Sequence, residues 1–302
     1  MSIGIIILNY NSASETIRCI QCIEKYNSAP IKYIVVDNGS SNKDEVRRIE
    51  SFLGSLPDDT RVTFVASDSN DGYARGNNKG LEIAFHDCEI EDILILNNDV
   101  FFDSDLIPEL LSRRNQLQSP GILTPVLYNI GGGIEYCCAR TFPSNWEVIL
   151  PFLFFKKDFL HILRKSSDSQ KILLKNPEVI NETSFPIGMP SGACMLIGKS
   201  LFEDIGGFDN GTFLYYEENI LCKKLQEKGF VNYCIPTVHA QHVGGASTSK
   251  SNNLFLQKCN VDSADYYLRH FGKMNLIQSI IWRTVQQLWL LKFKLKNTSH
   301  KG

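Results

Sequence analysis

The chain has 302 residues, 43% of them hydrophobic and 21% charged, and its formal net charge at pH 7 is −2. This is the composition of a globular protein with a sizeable core, and it argues against a disordered chain and against nucleic-acid binding through net charge. The sequence has no run of about 18 uncharged apolar residues, so no transmembrane helix is predicted.

Nine cysteines stand at irregular spacings, and the first residues lead into an apolar segment without the basic region of a secretory signal. These features favour free thiols in a reducing cytoplasm. Cys19 and Cys22 form a C-x-x-C pair. No second pair lies at the spacing of a zinc site, so packing of both thiols on a helix is the favoured interpretation.

Apolar strands alternate with helices in the first third of the chain. The strands are predicted over residues 3–8, 33–36, 61–66 and 93–96. The helices are predicted to begin near Glu15, to run over residues 44–53, and to follow a glycine-rich turn at 70–80 as far as Phe85. This alternation predicts an α/β fold with a mostly parallel central sheet, in which right-handed crossovers place all four strand ends on one edge.

Polar residues follow each of these strands. They are Asn9-Tyr10-Asn11, Asp37-Asn38, Asn70 and Asn97-Asn98-Asp99. One such end is typical of a turn, but four on one edge predict a polar ligand site, because open α/β sheets bind ligands there. The glycines at 72, 76 and 80 fit a helix start that can face an anion, but their spacing does not match the dinucleotide motif G-x-G-x-x-G.

The pattern after Asp99 is mixed. Helices are predicted over residues 105–118, 200–205 and 220–228, and strands over 122–128, within 190–198 and over 231–235. Residues 146–174 alternate apolar and basic blocks. That segment is interpreted either as an insertion that covers the core or as one that faces a membrane or an acceptor.

Residues 274–296 carry apolar side chains at helical spacing, together with Trp282, Trp289 and several basic residues. No acid lies among them. A basic amphipathic helix with tryptophans is typical of a membrane-surface element. The alternative is a terminal helix that docks on the core or in a dimer.

Eight motifs follow one another between residues 3 and 247. They are Asn9-Tyr10-Asn11, Val36-Asp37-Asn38-Gly39-Ser40, Asn70-x-Gly72-Tyr73-x-x-Gly76-Asn77-Asn78-x-Gly80, Leu96-Asn97-Asn98-Asp99, Gly192-Ala193-Cys194, Gly207-Phe208-Asp209, Tyr216-Glu217-Glu218 and His242-x-Gly244. Each is weak alone, but in this order they resemble the family 2 glycosyltransferases of the GT-A fold. The likeness is greatest to the branch that holds rhamnosyltransferases and other bacterial polysaccharide transferases.

The resemblance implies a GT-A catalytic domain over residues 1–250 and a C-terminal helical extension over 251–302. Within the catalytic domain, 1–127 is expected to bind the nucleotide sugar. Residues 128–250, with an insertion at 140–185, are expected to bind the acceptor.

The resemblance also implies a metal and a donor site. Asp99 lies where the family carries its D-x-D motif, and His242 matches the family's distal histidine, so this pair is expected to bind Mn²⁺ or Mg²⁺. Asp37 is expected to accept the ring N–H of uracil or thymine, and Asn97 to bond a ribose hydroxyl, whereas His239 falls outside the motif. The expected substrate-binding residues are Asn9, Tyr10, Asn11, Asp37, Asn38, Gly72, Arg75, Asn77, Lys79, Asn97, Asn98, Gly192 and Glu217.

Glu218 is the expected catalytic base, by resemblance to the second acid of the family's Glu-Asp pair. Such a base takes the proton of the acceptor hydroxyl as that oxygen attacks the anomeric carbon, and a single displacement inverts that carbon. This chain departs from the family in having Glu at 218 and Ile220 where another Asp is frequent. Paired acids at a helix start are also favoured by the helix dipole alone.

Together these expectations describe an inverting, metal-dependent glycosyltransferase that moves rhamnose or another hexose from a UDP- or dTDP-linked donor. The acceptor is expected to be a glycan or a polyprenyl-linked sugar in surface polysaccharide synthesis, on the inner face of the plasma membrane. The alternative is a non-catalytic sugar-nucleotide-binding subunit of an assembly complex. A nucleotidyltransferase is disfavoured, because no glycine-rich loop with Arg or Lys follows the first strand. No nucleic-acid partner is expected, and the C-terminal helix is a candidate oligomer contact.

Overall fold

The computed structural model describes residues 2–58, 61–153, 183–244 and 253–299. The strands within these ranges are β1 Ser2–Asn9, β2 Ile31–Asp37, β3 Val62–Ala66, β4 Ile90–Asn97, β5 Val100–Phe101, β6 Pro120–Tyr128, β7 Phe185–Ile187, β8 Cys194–Gly198 and β9 Val231–His242. The helices are α1 Ala13–Tyr26, α2 Lys43–Leu53, α3 Gly72–His86, α4 Leu106–Gln116, α5 Asn145–Leu153, α6 Lys199–Asp204, α7 Glu217–Glu227, α8 Asn253–His270 and α9 Leu276–Ser299.

One sheet contains all of these strands, in the order β3-β2-β1-β4-β8-β6-β9-β5, with β7 paired to β9. The first four strands are parallel, as predicted. Ile5 and Ile7 of β1 pack in the cluster that includes α1 and α2, whereas Ile6 packs in the cluster that includes α3. This burial on both faces explains why β1 is a near-continuous run of isoleucines.

The second half of the sheet is mixed. Strand β8 is antiparallel to β4 and β6, β6 is parallel to β9, and β5 and β7 are antiparallel to β9. The expectation of a mostly parallel sheet therefore holds for the first half of the fold only. In both halves the strands belong to the same sheet, which joins the predicted donor-binding and acceptor-binding halves.

Strand β9 is longer than predicted. The sequence analysis predicted a strand over residues 231–235 only, and Pro236, which follows, has no N–H for the ladder. Pairing with β6 resumes after a register shift, from Pro125 opposite Ile235 to Val126 opposite His239. His239 and His242 are thus on the strand and not in a loop after it, and their spacing of three puts them on opposite faces.

Helices α5, α8 and α9 build a third core cluster, which also includes Ile220 of α7. Trp282 and Trp289 of α9 are buried there, and their indole N–H groups donate to Asp265 and to the carbonyl oxygen of Phe152 at 2.8 and 2.9 Å. The docked-helix interpretation is therefore correct for the tryptophan face of α9. Helices α8 and α9 both lie within the C-terminal helical extension predicted over residues 251–302. The apolar and basic blocks beyond α5 lie outside the described residues.

No helix in the described part of the chain combines the length and the apolar character needed to cross a bilayer. All nine cysteines fall within these ranges and all are free thiols, as predicted. Cys19 is buried on α1, and the Cys22 thiol donates to the carbonyl oxygen of Phe102.

Candidate active site

The ends of β1, β2 and β4 lie side by side, because the parallel register pairs Asn9 with Asp37 and Leu8 with Asn97. Asn9 and Asp37 have no exposed surface. The Asn9 amide donates to Asp37 Oδ1 at 2.7 Å, and the Ser40 backbone N–H donates to Asp37 Oδ2 at 3.0 Å. Asn9 and Asp37 therefore join the loop after β1 to the loop after β2 by hydrogen bonds.

Asn38 and Asn98 are buried and also bond to protein groups. The Asn38 amide donates to the carbonyl oxygen of Gly72 and to the Asn70 side chain, each at 3.0 Å. The Asn98 amide donates to the hydroxyls of Ser12 and Thr16 at 2.7 and 2.9 Å. Four of the predicted substrate-binding residues thus hold the edge of the sheet in shape, and direct substrate contact by them stays a prediction.

Gly72 starts α3 at a point of close backbone approach. Its φ is +83°, and a Cβ there would lie 2.1 Å from the carbonyl oxygen of Phe213. Only glycine fits that space and that conformation without strain. The Tyr73 hydroxyl donates to the carbonyl oxygen of Gly192 at 2.6 Å, so the start of α3 is joined to both the 192 and the 213 loops.

Three predicted substrate contacts on α3 bond to the protein in this structure. Arg75 donates through Nε and Nη2 to the carbonyl oxygen of Asn210 at 3.1 and 3.0 Å. The Asn77 amide donates to the carbonyl oxygen of Tyr73, and Lys79 pairs with Asp71 at 2.6 Å. Their contact with a donor remains a prediction.

Tyr10, Asn11 and Asn97 are half-buried at the same edge. The Asn11 side-chain oxygen accepts from the backbone N–H of Ser41 at 2.9 Å, and Asn11 itself has a φ of +51°. Asn and Asp tolerate this left-handed conformation better than other residues with a side chain. The aromatic ring of Tyr10 and the amide of Asn97 remain the predicted contacts of the nucleoside.

Asp99 and His242 face each other across the β5–β9 pair. The register sets Val100 opposite His242, and the Val243 N–H donates to the carbonyl oxygen of Asp99 at 2.9 Å. As a result, His242 Nε2 lies 3.3 Å from Asp99 Oδ1, and both side chains are largely buried. The sheet thus brings together two residues that the sequence predicted as partners.

Glu135 completes this arrangement and was missed in the sequence. Its Oε2 lies 2.9 Å from His242 Nδ1, on the opposite side of the ring from Asp99. Burial lowers the pKa of the His242 imidazole, but its hydrogen bonds to Asp99 and Glu135 outweigh that effect and raise the pKa to about 9. Glu135 follows a triple-glycine turn and belongs to none of the eight motifs, so nothing in the sequence pointed to it.

Glu217 and Glu218 begin α7 after two strained residues. Tyr215 and Tyr216 have φ values of +76° and +67°, which is unusual for residues with a side chain and is found most often at functional sites. Tyr216 stacks on Tyr267 of α8 with ring centroids 5.5 Å apart. This bend leads directly into the first turn of α7, which carries the two glutamates.

The two glutamates have different environments. Glu217 is 3% exposed, and its Oε1 has no hydrogen-bond partner among the described residues. Burial, followed by the nearby charge of Glu218, raises the pKa of the Glu217 carboxyl group well above its usual range and so favours its neutral form. Glu218 is more exposed, and its Oε1 accepts from Arg140 Nη2 at 3.1 Å.

Arg140 is a second residue that the sequence did not indicate. The same Nη2 atom also donates to the carbonyl oxygen of Pro190 at 3.1 Å. Arg140 thereby fixes the carboxylate of Glu218 relative to the loop that carries Gly192. Ile220, in contrast, is fully buried in the third core cluster, so this departure from the family motif lies away from the edge.

Several known proteins resemble this chain in sequence. The profile of the family "Glycosyl transferase family 2" matches residues 4–206. The low-salt glycan biosynthesis hexosyltransferase Agl10 of Haloferax volcanii is 27% identical over 259 residues, which cover 84% of this chain and 72% of that protein. The N-acetylglucosaminyl-diphospho-decaprenol L-rhamnosyltransferase of Mycobacterium tuberculosis is 22% identical over 257 residues, which cover 82% of this chain and 77% of that protein.

Two solved structures share the fold. The crystal structure of GalNAc-T7 with UDP, GalNAc and Mn²⁺ aligns with 99% of this chain and 58% of its own, at a TM-score of 0.59 and 12% identity. The structure of S. aureus TarS 1-349 aligns with 94% of this chain and 79% of its own, at a TM-score of 0.54. These matches confirm the predicted GT-A fold.

Proposed function

Because the chain belongs to glycosyltransferase family 2, we propose that it transfers rhamnose or another hexose from a UDP- or dTDP-linked donor to a hydroxyl group, with inversion at the anomeric carbon. One observation carries this proposal. The metal-ligand pair predicted from the sequence, Asp99 and His242, meets at the edge of the sheet with Nε2 and Oδ1 3.3 Å apart.

The chemistry of this pair fits Mn²⁺ or Mg²⁺. A carboxylate oxygen and an imidazole nitrogen are suitable ligands, and the largely buried Asp99 is paired with His242. Among the described residues no group of three His, Cys, Asp or Glu side chains is placed to hold a metal ion. Asp99 and His242 would therefore share the ion with the diphosphate of the donor, whose charge the ion neutralises when bound.

The acidic pair on α7 supplies the proposed proton chemistry. Glu218, held by Arg140, would accept the proton of the attacking hydroxyl as the new glycosidic bond forms and the bond to the nucleoside diphosphate breaks. Glu217 is proposed to bond a hydroxyl of the sugar, because its buried Oε1 has no hydrogen-bond partner in the described part of the chain and burial raises the pKa of its carboxyl group. An unpartnered buried oxygen of this kind costs stability unless a ligand satisfies it.

The proposed acceptor is a glycan or polyprenyl-linked sugar in polysaccharide synthesis at the inner face of the plasma membrane. The relatives support this, since the mycobacterial protein is named for a sugar-diphospho-decaprenol acceptor. The C-terminal helix gives further support, because one face of α9 leaves Leu276, Ile277, Ile280, Leu288, Leu291 and Leu295 exposed. We propose that this face rests on the membrane surface.

Substitution of the base tests the catalytic assignment. Glu218→Gln keeps the shape and a hydrogen bond to Arg140 but removes the proton acceptor. Transfer should therefore fall by about 10²–10⁴-fold, while the dissociation constant for the donor nucleotide stays within about threefold of wild type, a shift worth less than 1 kcal/mol. The measurements are single-turnover transfer and calorimetric titration with UDP and with dTDP in the presence of Mn²⁺. An equal loss of transfer and of binding would remove Glu218 as the base.

A further inference from the structure

We propose that Glu135 is a positioning residue that holds His242 with Nε2 directed at the metal site. This inference rests on the proposed role of Asp99 and His242 as metal ligands. Glu135 is part of no recognised motif, and its assignment comes from the geometry of the ring alone.

The two ring nitrogens of His242 face two different carboxylates. Nδ1 lies 2.9 Å from Glu135 Oε2, and Nε2 lies 3.3 Å from Asp99 Oδ1. The lone pairs of Nδ1 and Nε2 point away from each other in the ring plane, so one ion cannot bind to both nitrogens. Glu135 therefore lies outside the coordination sphere that Asp99 and Nε2 define.

A hydrogen bond at Nδ1 decides which nitrogen is free to bind a metal. When Nδ1–H donates to Glu135, the neutral imidazole carries its lone pair on Nε2, the nitrogen that faces Asp99. A carboxylate acceptor also makes the ring a stronger ligand and fixes its orientation. Without Glu135 the ring is free to rotate and to adopt the other tautomer.

The backbone around Glu135 is well anchored for this role. The Glu135 N–H donates to the carbonyl oxygen of Leu127 at 2.8 Å, and Cys138 donates to the Glu135 carbonyl oxygen at 3.0 Å. The Gly131–Gly133 turn closes on Asn129, whose N–H donates to the Gly133 carbonyl oxygen at 2.8 Å. Glu135 is thus presented from the end of β6, next to β9, which carries His242.

The test compares two substitutions of Glu135 in the full-length protein. Mn²⁺ binding is measured by the loss of the free Mn²⁺ signal in electron paramagnetic resonance, in the presence of UDP and, separately, of dTDP. Glu135→Ala should raise the Mn²⁺ dissociation constant about 10–100-fold. Glu135→Gln should restore most of the affinity, because the amide oxygen still accepts from Nδ1–H.

A spectroscopic measurement distinguishes a role of Glu135 in positioning His242 from a general effect on the stability of the protein. With Mg²⁺ and the same nucleotide, ¹⁵N chemical shifts of His242 should show the Nδ1-protonated tautomer in the wild type and in Glu135→Gln, but not in Glu135→Ala. Glu24→Ala is the matched control, since Glu24 is a similarly half-buried carboxylate that accepts from Tyr33 and Arg61 near the start of β2. It should leave both readouts unchanged.

Asp99→Ala distinguishes the two ways in which the inference can fail. If Asp99→Ala loses Mn²⁺ but Glu135→Ala binds it with wild-type affinity, Glu135 has no positioning role and the metal site stands. If neither substitution changes Mn²⁺ binding, the metal site itself is wrong, and the inference falls with it.

Discussion

At the scale of single residues, Asp37 shows how a motif residue can serve the fold. Its carboxylate is fully buried and accepts from Asn9 and Ser40, which joins the loops after β1 and β2. The sequence motif indicated a contact with the nucleobase. The hydrogen bonds in the structure favour a role in shaping the pocket that Tyr10 and Asn97 would line.

Asp37→Asn tests this structural role. The amide would set an N–H group against the donors of Asn9 or Ser40 and leave one buried donor unsatisfied, so the free energy of unfolding should fall by about 1–3 kcal/mol. Urea denaturation without nucleotide measures this free energy of unfolding. The control is Asp68→Asn, on an exposed part of the loop after β3, which should change stability by less than about 0.5 kcal/mol. Wild-type stability of Asp37→Asn together with weaker UDP binding would contradict the structural role.

The sequence predicted candidate site residues that lie directly in motifs, and it did not predict the residues of other loops that contact them. Asp99, His242, Glu217 and Glu218 were predicted, and the structure places Asp99 beside His242 and Glu217 beside Glu218. Glu135 and Arg140 were not predicted, because their roles depend on contacts between distant segments and leave no local pattern. The departures at Glu218 and Ile220 are the features that favour the alternative of a non-catalytic binder. Of the two, the Ile220 side chain is in the core, where an apolar residue is favourable.

At the scale of elements, α9 is apolar on two faces. One face buries Trp282, Val285, Trp289 and Phe293 against α5 and α8. The other exposes six leucine and isoleucine side chains. Residues 273–302 carry no acid but six basic residues, which are Lys273, Arg283, Lys292, Lys294, Lys296 and Lys301. An exposed apolar stripe on a basic segment is typical of a surface that binds anionic lipid.

Substitutions on the exposed face test membrane binding without harming the core. Deletion of α9 would also remove both tryptophans, so point changes are more informative. A triple variant should bind phosphatidylglycerol vesicles more weakly in flotation; it combines Ile277→Gln, Ile280→Gln and Leu291→Gln. The loss should be about tenfold for each side chain that inserts, since burial of such a side chain contributes about 1.5 kcal/mol or more to binding.

The matched control is Ile130→Gln, which alters an equally exposed apolar residue far along the chain from α9. On anionic vesicles this variant should float like the wild type. On vesicles of phosphatidylcholine alone, neither the wild type nor any variant should float if the basic residues contribute to binding. Unchanged flotation of the triple variant on anionic vesicles would contradict the proposed membrane face.

Element boundaries were predicted best where local patterns are strong. The four parallel strands and their helices follow from β-branched runs and glycine-rich turns, and all were found. The bounds of α8 within the predicted helical extension were not identified, because its buried positions include Ser263 and Ala264, which give little apolar contrast. The second part of β9 was missed because the bulge at Pro236 interrupts the alternation that identifies a strand.

At the scale of the whole molecule, the site depends on pairings between segments that are far apart in the sequence. Strands β5 and β9 bring Asp99 to His242, and the bend before α7 brings the two glutamates to the same half of the fold that carries Arg140. The order of motifs was sufficient to predict the GT-A fold. The mixed half of the sheet was not predictable, because strand direction there is set by tertiary contacts and not by local periodicity.

The central claim is that this chain catalyses metal-dependent sugar transfer and does not merely bind a nucleotide sugar. The most direct measurement is donor turnover across a panel of UDP-, dTDP- and GDP-linked sugars, with and without Mn²⁺, for the wild type and for Asp99→Ala. The account predicts turnover of a UDP- or dTDP-linked sugar that requires the metal and is lost in Asp99→Ala. Metal-dependent binding of UDP or dTDP with no turnover of any donor would contradict it and would identify a sugar-nucleotide-binding subunit instead.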